Sequence, residues 1–285
     1  MKRVLITGKG SYIGSKVRDW LEANPDKYEV EELDMMSPNW KDFDFSGFDT
    51  IYHVAGIAHR NDVPDSLYEQ VNHLLAVKVA EKAEKAAARQ FIFMSSGAVY
   101  SQNDRNHKVL VVDEDTTFDP STAYGISKMK AEQDIIGMKT KMQVAILRPP
   151  MVYGLGAKGN YNSLRKVALK LPIFPKISNI RSMIYIDNLC EFVRLLIDSG
   201  EGGIFLPQNG EYVNTADMVR EIAANHRKQI LLVPGFGWAI SIMGHLLNPI
   251  NKAFGSYYYK NKKPYFNGEY QIVGFKESIR LTEAR

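Results

Sequence analysis

Short unbroken apolar runs alternate along the chain with longer stretches whose apolar residues return at helical spacing. The runs at residues 4–7, 50–54, 90–94 and 144–147 have the length of strands buried on both faces of a parallel sheet, and residues 28–33, which include Glu29, Glu31 and Glu32, are read as a further strand. Between them the pattern predicts a helix ending near Glu22 and a long helix over residues 64–88, carrying Leu67, Val71, Leu74, Leu75, Val77 and Val79. A third helix is predicted over 124–137, started by Pro120-Ser121-Thr122. Residues 35–48 are too few and too interrupted for a crossover helix. Alternation of strand and helix predicts an α/β fold. Beyond residue 160 the pattern predicts helices over 161–171, 187–198 and 215–225, with strands near Ile204 and over 229–233. The expected division is therefore 1–159 for the sheet domain and 160–285 for a smaller mixed α/β lobe, with some late segments returning to the sheet.

Composition narrows the class. The 285 residues are 45% hydrophobic and 24% charged, enough for a sizeable core. The net charge of +4 is spread through the chain apart from Lys260-Asn261-Lys262-Lys263, which suits attraction of a phosphorylated small molecule and not a nucleic-acid footprint. Cys190 stands alone, without metal-ligand spacing, and reads as a core thiol in a reducing compartment. No metal site is expected. Glycine arrives at Gly8, too soon for a signal peptide, and no stretch holds 18 apolar residues, so the expected location is cytoplasmic. The apolar segment 236–247 reads as a buried lobe helix in preference to a membrane contact, and Tyr257-Tyr258-Tyr259 as a strand or core edge.

The candidate chemistry sits where the apolar runs end. Gly8-Lys9-Gly10-Ser11-Tyr12-Ile13-Gly14 leaves the first strand and opens a helix, a turn that lets backbone N–H groups approach a pyrophosphate at the helix N-terminus. With it, the fold expectation becomes a Rossmann-type doubly wound parallel sheet with a smaller C-terminal substrate lobe. Asp34 lies 20 residues beyond Gly14, where a carboxylate accepts from both ribose hydroxyls and repels a 2′-phosphate. That favours NAD, with NADP left open. Ala55 and Gly56 are small enough for backbone to lie against a cofactor, and Pro149 begins a rigid wall. Asn72 is either a buried tie between cofactor strands or an exposed asparagine. His53 reads as a core histidine, while His59 and Arg60 stand in a loop from which a substrate is within reach. Ser96 ends the strand over 90–94. Tyr124 and Lys128, four residues apart, share a helix face, where an ammonium beside the phenol favours phenolate and makes Tyr124 an acid/base.

The combination TGxxSxxG, HVAG, SSGAVY, YGISK and RPPMVYG resembles the extended short-chain dehydrogenase/reductase superfamily, in its NAD-dependent nucleotide-sugar epimerase/dehydratase branch. The resemblance implies Tyr124 as acid/base, Lys128 on the nicotinamide ribose, and Ser96 on the sugar 4-oxygen. It also implies Asn160 at the nucleotide base, Arg181 on the diphosphate of a UDP-sugar, and a helix-pair homodimer. The Asp-Glu pair of the 4,6-dehydratases is replaced here by Gly97-Ala98, which removes the acid and base of elimination. Hydride transfer at C4 remains. Its first form is reduction of a UDP-4-keto-6-deoxy-N-acetylhexosamine for surface-polysaccharide precursors, and its second is 4-epimerisation with retained NAD. A catalytically silent dinucleotide-binding regulator is the remote alternative.

Overall fold

The computed structural model describes residues 1–58, 60, 62–100, 109–113, 115–235, 255–260 and 264–284. His59, the apolar segment 236–247 and the basic residues Lys262 and Lys263 lie outside the described residues. No described helix is long and apolar enough to cross a membrane. The chain divides into two compact units, one of residues 1–99, 118–149 and 189–207, the other of 100–117, 150–188 and 208–285.

The first unit is built on six strands: β1 (Lys2–Thr7), β2 (Tyr28–Leu33), β3 (Thr50–His53), β4 (Gln90–Met94), β6 (Gln143–Leu147) and β10 (Gly203–Phe205). They lie in the order β2-β1-β3-β4-β6-β10 and every pair is parallel. The sheet is the doubly wound, Rossmann-type one that the sequence predicts. Strand order reverses between β1 and β3, so the chain leaves these neighbours in opposite directions and opens a crevice at their C-terminal ends. Pairing of β10 with β6 carries residues 189–207 into this unit, whereas 150–159 belong to the other. The units thus part at several points of the chain and not once after residue 159.

Alternate side chains of each strand face opposite layers. Leu5, Ile51, Phe91, Phe93 and Ile146 pack with Val79, Ala80 and Ala83 of α3 (Leu75–Lys85) and with Ala131 and Ile135 of α4 (Ala123–Ile136). On the other layer, α1 (Tyr12–Glu22) and α6 (Ile186–Ser199) are joined by Trp20 Nε1 donating to Glu191 at 2.9 Å. Tyr28 of β2 donates to Asp198 of α6 at 2.8 Å. As the sequence predicts, no crossover helix links β2 to β3. A single 3₁₀ turn, Pro38–Lys41, stands there, and Trp40, Phe45 and Phe48 fill the core in its place.

The long predicted helix over 64–88 is observed in three pieces: α2 (Asp65–Tyr68), a π-helical turn (Glu69–Leu74) and α3. In the second unit, β5 (Val109–Val112) pairs with β12 (Ser256–Tyr259), β7 (Met151–Tyr153) with β9 (Met183–Tyr185), and β8 (Ile173–Pro175) with β11 (Leu231–Val233). Its helices include α5 (Asn160–Lys170), α7 (Thr215–Asn225) and α8 (Phe275–Glu283). The face that α8 buries is half polar. Ser278 bonds the Tyr153 hydroxyl at 2.6 Å, and Glu283 accepts from Tyr161 at 2.8 Å and from Arg165 and His226 at 2.6 Å.

His53 closes β3 inside the core. Its Nδ1 lies 2.7 Å from the Thr7 hydroxyl, and its ring stacks on Phe91 and Phe93 with centroids 6.2 and 6.0 Å apart. Burial, helped by the Lys128 charge, pushes its pKa down to about 3. The unfolded chain binds this proton below about pH 6.5 while the folded chain refuses it. The stability that depends on a neutral His53 is therefore complete above that pH and is lost as pH falls toward 3. In His53→Phe, urea unfolding followed across this window should show a flatter decline on acidification than the parent, by about 3–5 kcal/mol at the acid end.

Candidate active site

At the reversal of strand order, main chain meets main chain. Thr7 O accepts from both Val54 N and Ala55 N, at 3.1 and 2.9 Å, which brings the exits of β1 and β3 together. Gly8 has φ +125°, and a Cβ there would lie 2.7 Å from Ala55 N, so only glycine fits. Leu33 O accepts from Gly8 N and Lys9 N at 2.9 and 3.1 Å, which draws the end of β2 onto the turn and leaves Asp34 exposed beside it. Ser11 is the N-cap of α1, its hydroxyl accepting from Gly14 N at 3.2 Å. A Cβ on Gly14 would come 2.9 Å from Val54, whereas one on Gly10 would meet nothing within 4 Å. Tyr12 and Ile13 begin the helix, whose first turn holds no acid, so its positive end faces the open side of the turn. The positive N-terminus of α1, reached through a glycine turn whose Gly10 would admit a side chain without contact, fits a pyrophosphate.

Beyond β3, Ala55 and Gly56 lead to Ile57, which Asn72 grips with both ends of its amide. Ile57 N donates to Asn72 Oδ1 at 2.7 Å, and Asn72 Nδ2 donates to Ile57 O at 2.9 Å and to the Ser127 hydroxyl at 3.2 Å. Asn72 is fully buried on the π-helical turn and ties the loop after β3 to α4.

The turn after β4 carries Ser96, and α4 carries Tyr124 and Lys128 on one face. Thr122 caps α4 by accepting from Gly125 N at 3.1 Å. The Ser96 hydroxyl accepts from Ala98 N at 3.1 Å and stands beside the Tyr124 phenol. Tyr124 is half-buried, with Tyr68 edge-on at 6.3 Å. Burial raises the phenol pKa, and the Ser96 hydroxyl opposes that rise. The sequence leads one to expect an acidified phenol, and the difference has a physical cause. Lys128 Nζ donates to Met94 O at 2.8 Å and lies 4.5 Å from the centre of the Phe93 ring. Burial pushes the Lys128 pKa down to about 8, against the pull of Glu132.

Glu132 and Arg148 are functional candidates that the sequence reading passes over, and they gather around Ser95, the neighbour of Ser96. Glu132 and Arg148 are buried, with side chains 0% and 3% exposed. Arg148 Nε donates to Glu132 Oε2 at 2.8 Å and Nη2 donates to the same oxygen, while the Ser95 hydroxyl donates to Oε1. The signal was present: Tyr124, Lys128 and Glu132 recur every four residues on one face of a helix. Gly97 N donates to Pro149 O at 2.8 Å and fixes the same turn to the exit of β6.

Asn160 and Arg181 belong to the second unit. Asn160 is exposed and opens α5 after Gly159, whose φ is +119°. Arg181 is buried, its Nη1 donating to Gly255 O at 3.0 Å and its main chain bridging to Val213. Burial lowers the Arg181 pKa. Among the described residues no cluster of His, Cys, Asp and Glu has the arrangement of a metal site.

Residues 4–206 match the model of the NAD dependent epimerase/dehydratase family. A UDP-glucose 4-epimerase of Vibrio cholerae is 28% identical over 271 residues, 86% of this chain and 82% of that relative. The N-acetyl-alpha-D-glucosaminyl-diphospho-ditrans,octacis-undecaprenol 4-epimerase of Escherichia coli O157:H7 is 29% identical over 248 residues, 80% of this chain and 73% of its own. Among solved structures, dTDP-4-dehydrorhamnose reductase of Bacillus anthracis, in complex with NADP, shares the fold with a TM-score of 0.66. Its identity is 20%, over 82% of this chain and 84% of that one.

Gly125 offers a test of how tightly α4 meets the turn after β4. A Cβ there would lie 2.3 Å from the Ala98 carbonyl oxygen and 3.0 Å from Pro120. Helix propensity alone would make Gly125→Ala stabilising by about 1 kcal/mol. The clash reverses the sign, with an expected loss of about 1–3 kcal/mol, read by urea denaturation.

Proposed function

Because the chain belongs to the NAD dependent epimerase/dehydratase family, we propose that it carries out hydride transfer at C4 of a UDP-sugar, with Tyr124 as acid/base, Ser96 on the reacting oxygen and Lys128 as its cationic partner. The observation that carries this reading is the placing of Ser96, on the turn after β4, beside Tyr124 of α4, with Lys128 one helical turn beyond. Gly8, Gly10, Ser11, Tyr12, Ile13 and Gly14 would hold the pyrophosphate of NAD, and Asp34 its adenosine ribose. Ala55, Gly56, Asn72 and Pro149 would line the rest of the cofactor site. When bound, the cofactor supplies or takes up the hydride. Tyr124 gives a proton to the C4 oxygen as a ketone becomes an alcohol and takes it back in the reverse direction. Ser96 holds that oxygen within reach of the phenol. Asn160 and Arg181 are assigned to the base and the diphosphate of the substrate.

Net reduction of a UDP-4-keto-6-deoxy-N-acetylhexosamine is the first form of this proposal. With Gly97 and Ala98 beside Ser96, the turn adds neither the acid and base that elimination needs nor a further hydroxyl for the sugar. That suits a ketone bound one way round. The second form, 4-epimerisation with retained NAD, is favoured by the Vibrio cholerae and Escherichia coli relatives, both named 4-epimerases.

Tyr124→Phe should lower turnover about 10²- to 10⁴-fold while NAD binding stays near the parental value. The same assay separates the two forms. A reductase consumes NAD(P)H in step with the 4-keto sugar, whereas an epimerase interconverts UDP-glucose and UDP-galactose without added cofactor. Asp34→Ser should move cofactor preference toward NADP in binding titrations, and an unchanged preference would place the ribose elsewhere.

A further inference from the structure

The turn that carries Ser96 is bracketed by α4 on both sides. On one side the Ser95 hydroxyl donates to Glu132; on the other, the Ala98 carbonyl rests against Gly125, too close for any side chain at that position. Ser96 lies between these two contacts, as Tyr124 lies on the helix that makes both. The turn is also held to β6 by main chain, Ser95 N donating to Leu147 O and Gly97 N to Pro149 O, each at 2.8 Å.

We propose that Glu132 is a positioning residue: its carboxylate, anchored by Arg148, clamps Ser95 so that the Ser96 hydroxyl stays beside the Tyr124 phenol.

Two features argue for a role beyond filling the core. A buried ion pair is weak support for stability, since apolar residues of similar volume often serve as well or better. Yet here both carboxylate oxygens are committed, Oε2 to two nitrogens of Arg148 and Oε1 to Ser95. Such a group has fixed directions of bonding, which an apolar side chain lacks. The direction it fixes runs from the third turn of α4 to the residue before Ser96. Glu132 also lies one turn beyond Lys128, so its charge acts on the buried ammonium as well.

This inference rests on the reading of Ser96 and Tyr124 as the reacting pair, but its test needs no sugar. The full chain is labelled with ¹³C at the tyrosine ζ carbons, and the Tyr124 signal is assigned by its loss in Tyr124→Phe. At neutral pH its shift reports the surroundings of the phenol, and Ser96→Ala marks the position without the Ser96 hydroxyl beside it. Ser95→Ala removes only the clamp, while Glu132→Met together with Arg148→Met removes both buried charges and the acceptor for Ser95 at once. Each variant should unfold cooperatively in urea, bind NADH within about threefold of the parent and carry the Tyr124 signal most of the way to the Ser96→Ala position. Where a substrate is established, kcat should fall about 10- to 100-fold with KM little changed. A parental Tyr124 shift in folded Ser95→Ala and in the folded double variant overturns the proposal. So does failure of both to fold, since the clamp would then be part of the core alone. If the parent turns over no UDP-sugar, the functional reading fails while the shifts still decide the role of Glu132.

Discussion

The constraint on which the first unit depends is the approach of two strand exits through main-chain atoms alone. Thr7 O takes two N–H groups from the end of β3, and the space left beside Ala55 admits no side chain at residue 8. That contact bends the chain out of β1 toward β2, where Leu33 O closes the turn. The positive end of α1 is left facing the crevice that the reversed strand order opens. A larger residue at the contact would therefore disturb three strands and a helix together.

A second layer of main-chain contact holds the acid/base pair. Gly125 lets α4 touch the carbonyl of Ala98, and the caps and bonds around it run through Thr122, Ser95 and Pro149. Charge is handled differently at the two depths of this helix. At its exposed end Tyr124 keeps a polar partner, whereas Lys128 and Glu132 are buried and must satisfy one another, Arg148 and the Met94 carbonyl. The phenol is accordingly less acidic in the chain by itself than proximity in sequence suggests, because burial raises its pKa while the ammonium four residues away is bound to a carbonyl.

The parts of the fold legible in the sequence were those where periodicity and burial coincide. Strands buried on both faces read as unbroken apolar runs, and the missing crossover helix between β2 and β3 could be inferred from length alone. The three-residue strands β7, β8 and β9 are too short for any period to register, whereas β11 lies within the strand predicted over 229–233. Helix α8 was invisible for another reason: the face it buries carries Ser278, Thr282 and Glu283 alongside Ile279, so no apolar stripe marks it. In the site, the glycine turn, Tyr124, Lys128 and Ser96 were legible because their spacing is local. The Glu132–Arg148–Ser95 cluster joins residues from α4, β4 and β6, and only the folded sheet brings them together. Arg181 entered only through the resemblance, as a residue on the diphosphate, and its local sequence carries no sign of its enclosure by Gly255, Val213 and Tyr257.

The π-helical turn at Glu69–Leu74 has a consequence in terms of ancestry and indels. Such a turn holds one residue more than the ordinary helix around it, as if a single codon had been inserted there. Each residue of an α-helix advances about 100° around its axis. A one-residue deletion that returned this stretch to ordinary pitch would thus swing everything on its N-terminal side by about a quarter turn. Asn72 and Tyr68 could not both keep their present directions, and the tie from Asn72 to Ile57 and Ser127 would be cut while the helix itself stayed intact. Length variation is accordingly far less tolerable in these six residues than at exposed Pro64, Asp65 and Ser66.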